Sequence, residues 1–277
     1  MKVCRFDDDR IGLVQGDRVL DLTPRVPAGP HDAALWLLAQ SSAQVKALGE
    51  GASSHALDRV QLRSPIARPG KVVAAPVNYR AHVQEMLASG QAFNHTLTDI
   101  RQAGLFLKAT SSVVGPSQGI AQRFLDRRTD HEIELCAVIG RRASQVKASD
   151  ALEHVAGWCL GLDITVRGPE DRSFRKSIDS YCVLGPWITS ADEDVDPANV
   201  EIALAVNGSE RQRASTADMV LGVAELIEFA STFYTLEPGD VLMTGTPQGV
   251  GPIRPGDVLV ASGAGLGTMT TQVRSAP

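Results

Sequence analysis

Few side chains in this sequence combine reactive chemistry with telling spacing, and the first pair stands in the stretch "DHEIELCAVIG", Asp130 to Gly140. From Leu135 to Ile139 the run is uniformly apolar, as in a strand buried on both faces. Glu132 and Glu134, two positions apart at its entrance, point to the same side of a strand, with Asp130 in line behind them. That side continues with Cys136 and Val138, while the other carries Ile133, Leu135 and Ala137, so the carboxylates are expected to be at least partly buried. Adjacent buried carboxylates repel and lose solvation. Either one takes up a proton or a cation neutralises the pair. An oxygen-rich cluster suits Mg²⁺, with Mn²⁺ or Ca²⁺ as alternatives.

A third oxygen ligand belongs in another apolar strand, and "CLGLDITV" supplies Asp163 between Leu162 and Ile164. Taken alone, that aspartate reads equally well as a turn or cap. Three carboxylates leave the rest of an about six-coordinate shell to water and substrate. Upstream, in "VNYRAHVQEM", His82 and Glu85 share a helix face, where the carboxylate can orient the imidazole as a base. The plain alternative is an exposed surface pair. Lys176, in "FRKSIDSYCVLGPW", is a cation followed by an apolar segment; otherwise it is a surface lysine. In "PGDVLMTGTPQGVG" the hydroxyls of Thr244 and Thr246 and the turn amides offer a grip on a carboxylate, unless the stretch is only a strand end and turn.

The elements that must hold these groups are short. Residues 1 to 62 form a small N-terminal module: the strand-like runs "KVCRF", "RIGLVQG" and "RVLDLT", then a helical pair in "HDAALWLLAQSSAQVKALGEG" stopped by Gly49 and Gly51. A Pro-bearing connector, "QLRSPIARPGK", leads into residues 63–277. There strand-like runs alternate with Gly and Pro turns, with helices expected near 145–157 and 216–235. This is an α+β pattern rather than regular βαβ repeats. The apolar runs "VEIALAVNG" and "DVLVASG" are expected to leave sheet edges that a second copy of the chain would cover.

Composition narrows the function. With 277 residues, 43% hydrophobic and 21% charged, the chain can bury a sizeable core. A net charge of −5, 5% aromatic residues and a basic cluster ("RFLDRRTD") broken by acids argue against a nucleic-acid partner. No window approaches the ~20 apolar residues of a membrane span, and the N-terminus lacks a signal-peptide apolar region. The four cysteines, Cys4, Cys136, Cys159 and Cys182, lie far apart, three within apolar runs, and read as reduced core residues of a cytoplasmic protein. "GTPQGVG" and "GAGLGTM" lack dinucleotide-binding spacing and read as turns, and no Gly-x-Ser-x-Gly elbow is present.

From about Lys71 to Val273 the motifs together resemble the fumarylacetoacetate hydrolase family, in particular its shorter bacterial-type members. They run in order as "NYRAHVQE", "FLKATSSVVGP", "DHEIELCAVIG", "LDITVRG", "KSIDSYCVLGPW", Asn207-Gly208 and "PGDVLMTGTPQGVG". The combination is highly specific. The resemblance implies a strand-rich mixed β-roll with a small N-terminal β module, assembled as a homodimer. It also implies a divalent metal, usually Mg²⁺, on Glu132, Glu134 and Asp163. His82 and Glu85 match the family's lid, whose body would be residues 87–104, and Lys176 its active-site lysine. Thr246 matches a substrate-carboxylate contact, and Tyr79 and Arg167 fall on the substrate side.

Family members act on 2-oxo acids by C–C hydrolysis, decarboxylation or isomerisation, each next to a ketone and through an enolate. Hydrolysis of an acylpyruvate is the first expectation here, with a decarboxylase or isomerase of 2-oxo acids or 2-hydroxy-dienoates in aromatic catabolism next. A catalytically idle metal-binding scaffold is the remote alternative, which intact His82, Glu85 and Lys176 oppose. The sequence departs from the pattern at Pro76-Val77 and at Glu170, which stands where glutamine is common. A carboxylate at position 170 would disfavour a dioic substrate unless Arg167, Arg172 or Arg175 compensates.

Overall fold

The structure is a computed structural model and describes residues 1–27, 32–88 and 100–277. Its centre is the strand Ile133–Ile139, all seven residues buried. Ile133, Leu135, Ala137 and Ile139 enter one hydrophobic core; Cys136 and Val138 enter another on the opposite face. A strand with a core on each side cannot alternate apolar with polar, which is why this segment is continuously hydrophobic.

Around it lies an eleven-stranded sheet among the described residues. On one flank Val155–Asp163 pairs antiparallel with Ile133–Ile139, then Cys182–Ser190 pairs with Val155–Asp163. On the other flank Val241–Met243 is followed by Val72–Ala74 and the edge strand Phe106–Lys108. The N-terminal strand Lys2–Phe6 pairs with Cys182–Ser190, so residues of the first 62 extend this sheet through Arg10–Gln15, Arg18–Asp21 and Ser54–Ala56. The helices Ala33–Leu38 and Ser42–Gly49 form as the sequence predicts, started by the Asp32 and Ser41 side chains, which accept backbone N–H bonds.

A five-stranded sheet runs in the order Ser209–Ser215, Glu201–Val206, Val258–Gly263, Gly267–Ser275 and Ile120–Gln122. The larger core lies between it, the main sheet and the amphipathic helix Val223–Phe233. Here the edge expectation fails. Glu201–Val206 and Val258–Gly263 each have a neighbour on both sides. They are apolar because they are interior strands, and the outer strand Ser209–Ser215 is mostly polar.

The helix expected near 145–157 shrinks to Ala148–Ala151 and the turn Leu152–His154, because Val155 and Trp158 belong to the core strand that follows. The one expected over 216–235 is confined to Val223–Phe233 after a turn at Thr216–Asp218. Of the lid segment 87–104, residues 89–99 lie outside the described residues, and Ile100–Ala103 is a short helix. Among the described residues no helix is long and apolar enough to cross a membrane.

Candidate active site

Strand register brings the carboxylates together. Glu134 stands opposite Gly161 in the antiparallel pair. Asp163, two residues beyond Gly161, points to the same face and becomes the diagonal neighbour of Glu134. Gly161 keeps the space between the strands open: a β-carbon there would meet Cys136 Sγ at 2.5 Å and Met243 Cε at 2.9 Å. Glu132 lies just before the strand, its carbonyl bound by the Asp163 amide. One carboxylate oxygen from each of Glu132, Glu134 and Asp163 lies within 4.8 Å of the others, and all three residues are buried.

Cations surround the cluster. Lys176 Nζ donates to Glu132 Oε2 at 2.7 Å and Asp163 Oδ2 at 2.6 Å, so Lys176 is a buried ion-pair partner rather than a surface lysine. It is carried by the helix Arg172–Lys176, which Asp171 caps at its start. Arg167 joins Asp130 Oδ2 (2.7 Å) to Glu132 Oε1 (3.1 Å). Asp130 thus lies in line with the glutamates but is held by Arg167 and Arg128, outside the three-carboxylate group. Sequence reasoning missed Lys108, whose fully buried ammonium pairs with Asp163 Oδ1 at 2.5 Å and also donates to the Lys176 carbonyl. The available signal was a charge closing the apolar run of Leu105, Phe106 and Leu107.

The electrostatics split the glutamates. Burial pushes Glu132 up, but Lys176 and Arg167 outweigh it and hold the carboxyl down to about 2, with a smaller contribution from His82. Burial pushes Glu134 well above the usual range, and the Asp163 charge adds to this. Burial pulls Lys176 down, yet Asp163 and Glu132 more than compensate and raise it above an ordinary lysine. Without an added cation, the ionised form of Glu134 is therefore the most disfavoured charge of the cluster. A hard divalent ion fits this donor set, being all oxygen, convergent and short of positive charge at Glu134.

The dyad forms as its spacing predicts. His82, on the helix Arg80–Ala88, places Nδ1 3.0 Å from Glu85 Oε2, and Glu85 is itself held by the Gly249 amide at 3.1 Å. Nδ1–H donating to Glu85 leaves Nε2 with a lone pair to accept a proton. Tyr79, just before this helix, is fully buried, and its hydroxyl has no hydrogen-bond partner among the described residues. Burial raises that phenol, with the charge of Glu134 next in effect. In the departure Pro76-Val77, Val77 takes φ +45°, a conformation costly for a β-branched residue.

Two expected carboxylate contacts change. Thr244 turns inward and donates its hydroxyl to the Leu135 carbonyl at 2.9 Å. The Gly245 amide is spent on Glu134 Oε2 at 2.6 Å, with Gly245 at φ +95° and a β-carbon 2.8 Å from Asn78 Cβ were one present. Thr246 accepts from Gln212 Nε2 at 2.8 Å, which leaves its own hydroxyl proton to donate. Glu170 is not a free charge in the site: Arg127 grips both of its oxygens, at 3.0 and 2.7 Å. Arg127, rather than Arg167, Arg172 or Arg175, is thus the side chain that offsets the Glu170 charge.

Residues 71–274 match the family model of the fumarylacetoacetate (FAA) hydrolase C-terminal region. The chain is 48% identical to maleylpyruvate hydrolase of Aquipseudomonas alcaligenes over 99% of its own length and 100% of that protein's. A solved maleylpyruvate hydrolase from Sphingobium sp. SYK-6, in complex with manganese(II) ion and pyruvate, superposes with a TM-score of 0.87 at 35% identity, covering 100% of both chains. A 5-carboxymethyl-2-hydroxymuconate delta-isomerase from Mycobacterium smegmatis superposes with a TM-score of 0.76 at 30% identity, over 99% of this chain and 100% of its own. The strand-rich sheets, the ordered motifs and these full-length likenesses have one explanation: the chain belongs to the fumarylacetoacetate hydrolase family.

Proposed function

We propose that this enzyme hydrolyses the C–C bond of an acylpyruvate. The observation that carries the reading is the His82–Glu85 pair, 3.0 Å apart and near enough to the carboxylates to bear on the charge of Glu132. An isomerase must move a proton between carbons, whereas a hydrolase must also activate water, and an imidazole held by a carboxylate suits that task. The likeness to maleylpyruvate hydrolase over almost the whole chain supports the same reading.

In this reaction water adds to the acyl carbonyl next to the methylene group, and the bond between that carbonyl carbon and the methylene breaks. The electron pair stays with the pyruvate fragment as its enolate, which is then protonated; the acyl part leaves as a carboxylate. His82 takes the proton from water through Nε2 while Glu85 holds the ring. Lys176 sets an ammonium beside the oxygen on which enolate charge grows. The Thr246 hydroxyl donates to the substrate carboxylate, and Tyr79 and Arg167 stand on the substrate side. When bound at Glu132, Glu134 and Asp163, a divalent ion supplies the remaining positive charge that stabilises the enolate. We take Mg²⁺ as the native ion.

All of these groups lie in residues 63–277, so we assign catalysis to that portion and a supporting role to residues 1–62. The four cysteines are buried and free, which favours a reducing, cytoplasmic setting. We also propose a homodimer; the adjacent exposed side chains Phe124 and Leu125 are apolar surface that such a contact would cover. Sedimentation at micromolar protein tests it, and a fully active monomer would overturn it.

The deciding assay follows loss of acylpyruvate absorbance and release of pyruvate with Mg²⁺, with Mn²⁺ and after chelation. Metal-dependent pyruvate release is the expected result. Turnover of oxaloacetate or a hydroxymuconate, with no pyruvate released from any acylpyruvate, would replace this reading with a decarboxylase or isomerase.

A further inference from the structure

The polar outer strand Ser209–Ser215 sends one amide side chain into the interior. Ser209, Glu210 and Arg211 are exposed, whereas Gln212 is only 1% exposed. The cause is a break in register. Gln212 stands opposite Leu204 and Glu210 opposite Ala205, so Arg211 is an extra residue, a bulge that re-aims the side chain after it. The turn at 246–249 closes onto this bulge: a β-carbon on Gly249 would meet the Arg211 carbonyl oxygen at 2.0 Å.

Both ends of the buried amide are fully bonded. Oε1 accepts from the Ile133 amide at 3.1 Å and lies 3.0 Å from His131 Nδ1. Nε2 donates to the Pro247 carbonyl at 2.9 Å and to Thr246 Oγ1 at 2.8 Å. The backbone partners fix its orientation, because an N–H can face only Oε1 and a carbonyl only Nε2. The consequence falls on Thr246. Its oxygen must accept from Gln212, and among the described residues its proton has no acceptor. Gln212 also joins two parts of the site. Ile133 and His131 flank Glu132 on one side of it, and on the other lies a turn whose Gly245 and Gly249 amides hold Glu134 and Glu85.

Resting on the acylpyruvate reading, we infer that Gln212 is a positioning residue, which orients the Thr246 hydroxyl so that its proton is presented to the carboxylate of the pyruvyl group. A buried amide gains nothing over a well-packed apolar side chain unless all its bonds are made, and one of these four ends on the hydroxyl that meets the substrate. The carboxylate is bound alike in ground and transition states, so loss of this orientation raises KM and leaves kcat nearly unchanged.

The test uses Mn²⁺-loaded wild-type protein, Gln212→Met, Gln212→Glu, Thr246→Val and the two double variants with Thr246→Val. Pyruvate affinity is measured by calorimetry, and kcat and KM with acetylpyruvate. Thr246→Val should weaken pyruvate binding about 10-fold or more, the usual effect of losing a hydrogen bond to a charged group. Gln212→Met should weaken it by at least about fivefold and raise KM to match, with kcat and Mn²⁺ affinity within about threefold of wild type. Gln212→Glu keeps the size and the oxygen facing Ile133 but sets an acceptor opposite Thr246, which draws the hydroxyl away and should cost more affinity than Gln212→Met. In the Thr246→Val background most of either loss should vanish, the sign that Gln212 acts through that hydroxyl. Unchanged pyruvate affinity in Gln212→Met, or losses that add fully to that of Thr246→Val, would overturn the assignment. So would a wild-type protein that binds no pyruvate. If Gln212→Met does not fold, the Gln212→Glu cycle decides by the same additivity. If the wild-type protein binds pyruvate but does not cleave acetylpyruvate, the hydrolase reading fails, while the binding cycle still decides Gln212.

Discussion

Lys108 offers a sharp test of the electrostatic account, because its charge has no contact with water. Its ammonium is fully buried, 2.5 Å from Asp163 Oδ1. Lys108→Met keeps the chain length and removes the cation, leaving Asp163 to rely on Lys176 alone. Breaking a buried ion pair from one side costs about 3–5 kcal/mol, because the remaining charge stays desolvated. At about 2–4 °C per kcal/mol for a domain of this size, the metal-free variant should melt about 6–20 °C below the wild-type protein. Thermal denaturation after chelation measures this. Mn²⁺ should then raise the melting temperature more in the variant, since the uncompensated carboxylate gains most from a cation. Adding Asp163→Asn should return part of the lost stability, the sign of a direct coupling in a double-mutant cycle. A metal-free melting temperature within about 2 °C of wild type would refute the reasoning, as would strict additivity of the two changes.

Two further predictions concern the cluster and the dyad. Glu134 binds its proton more tightly when folded than when unfolded, so metal-free wild-type stability should decline as pH rises from the ordinary value of 4.5 through the raised folded value. Glu134→Gln should remove that decline and weaken Mn²⁺ binding at least 100-fold; melting curves of the two proteins that stay parallel from pH 5 to 8 would contradict the assignment. His82→Ala should lower turnover by about 10²–10⁴-fold, the usual effect of losing a general base, with Mn²⁺ affinity within threefold of wild type by calorimetry. Undiminished rates on acylpyruvates would take His82 out of the mechanism.

What the sequence determined by itself was local. A period of two placed Glu132 and Glu134 on one side of a strand, and the apolar residues that follow required the strand to be buried on both faces. The spacing of three put His82 against Glu85. Gly49 marked the end of the helix Ser42–Gly49. These features depend on neighbours within one turn or one pleat, so they can be read from the chain directly. Family-specific motifs extended that reading to Asp163 and Lys176, whose meeting with the glutamates no local rule supplies.

The tertiary structure decided which charges meet. Lys108 reaches Asp163 across 55 residues, and Arg127 reaches Glu170 across 43. Neither pairing has a periodic signature, because both follow from which strands and loops lie side by side. Sheet order likewise made Glu201–Val206 and Val258–Gly263 interior strands rather than exposed edges, and joined the N-terminal strands to the central sheet through Lys2–Phe6. An apolar strand in sequence records only that its faces are covered. Whether its backbone is paired on one side or both depends on residues far along the chain, so strand pairing, and the ion pairs it brings together, had to come from the fold.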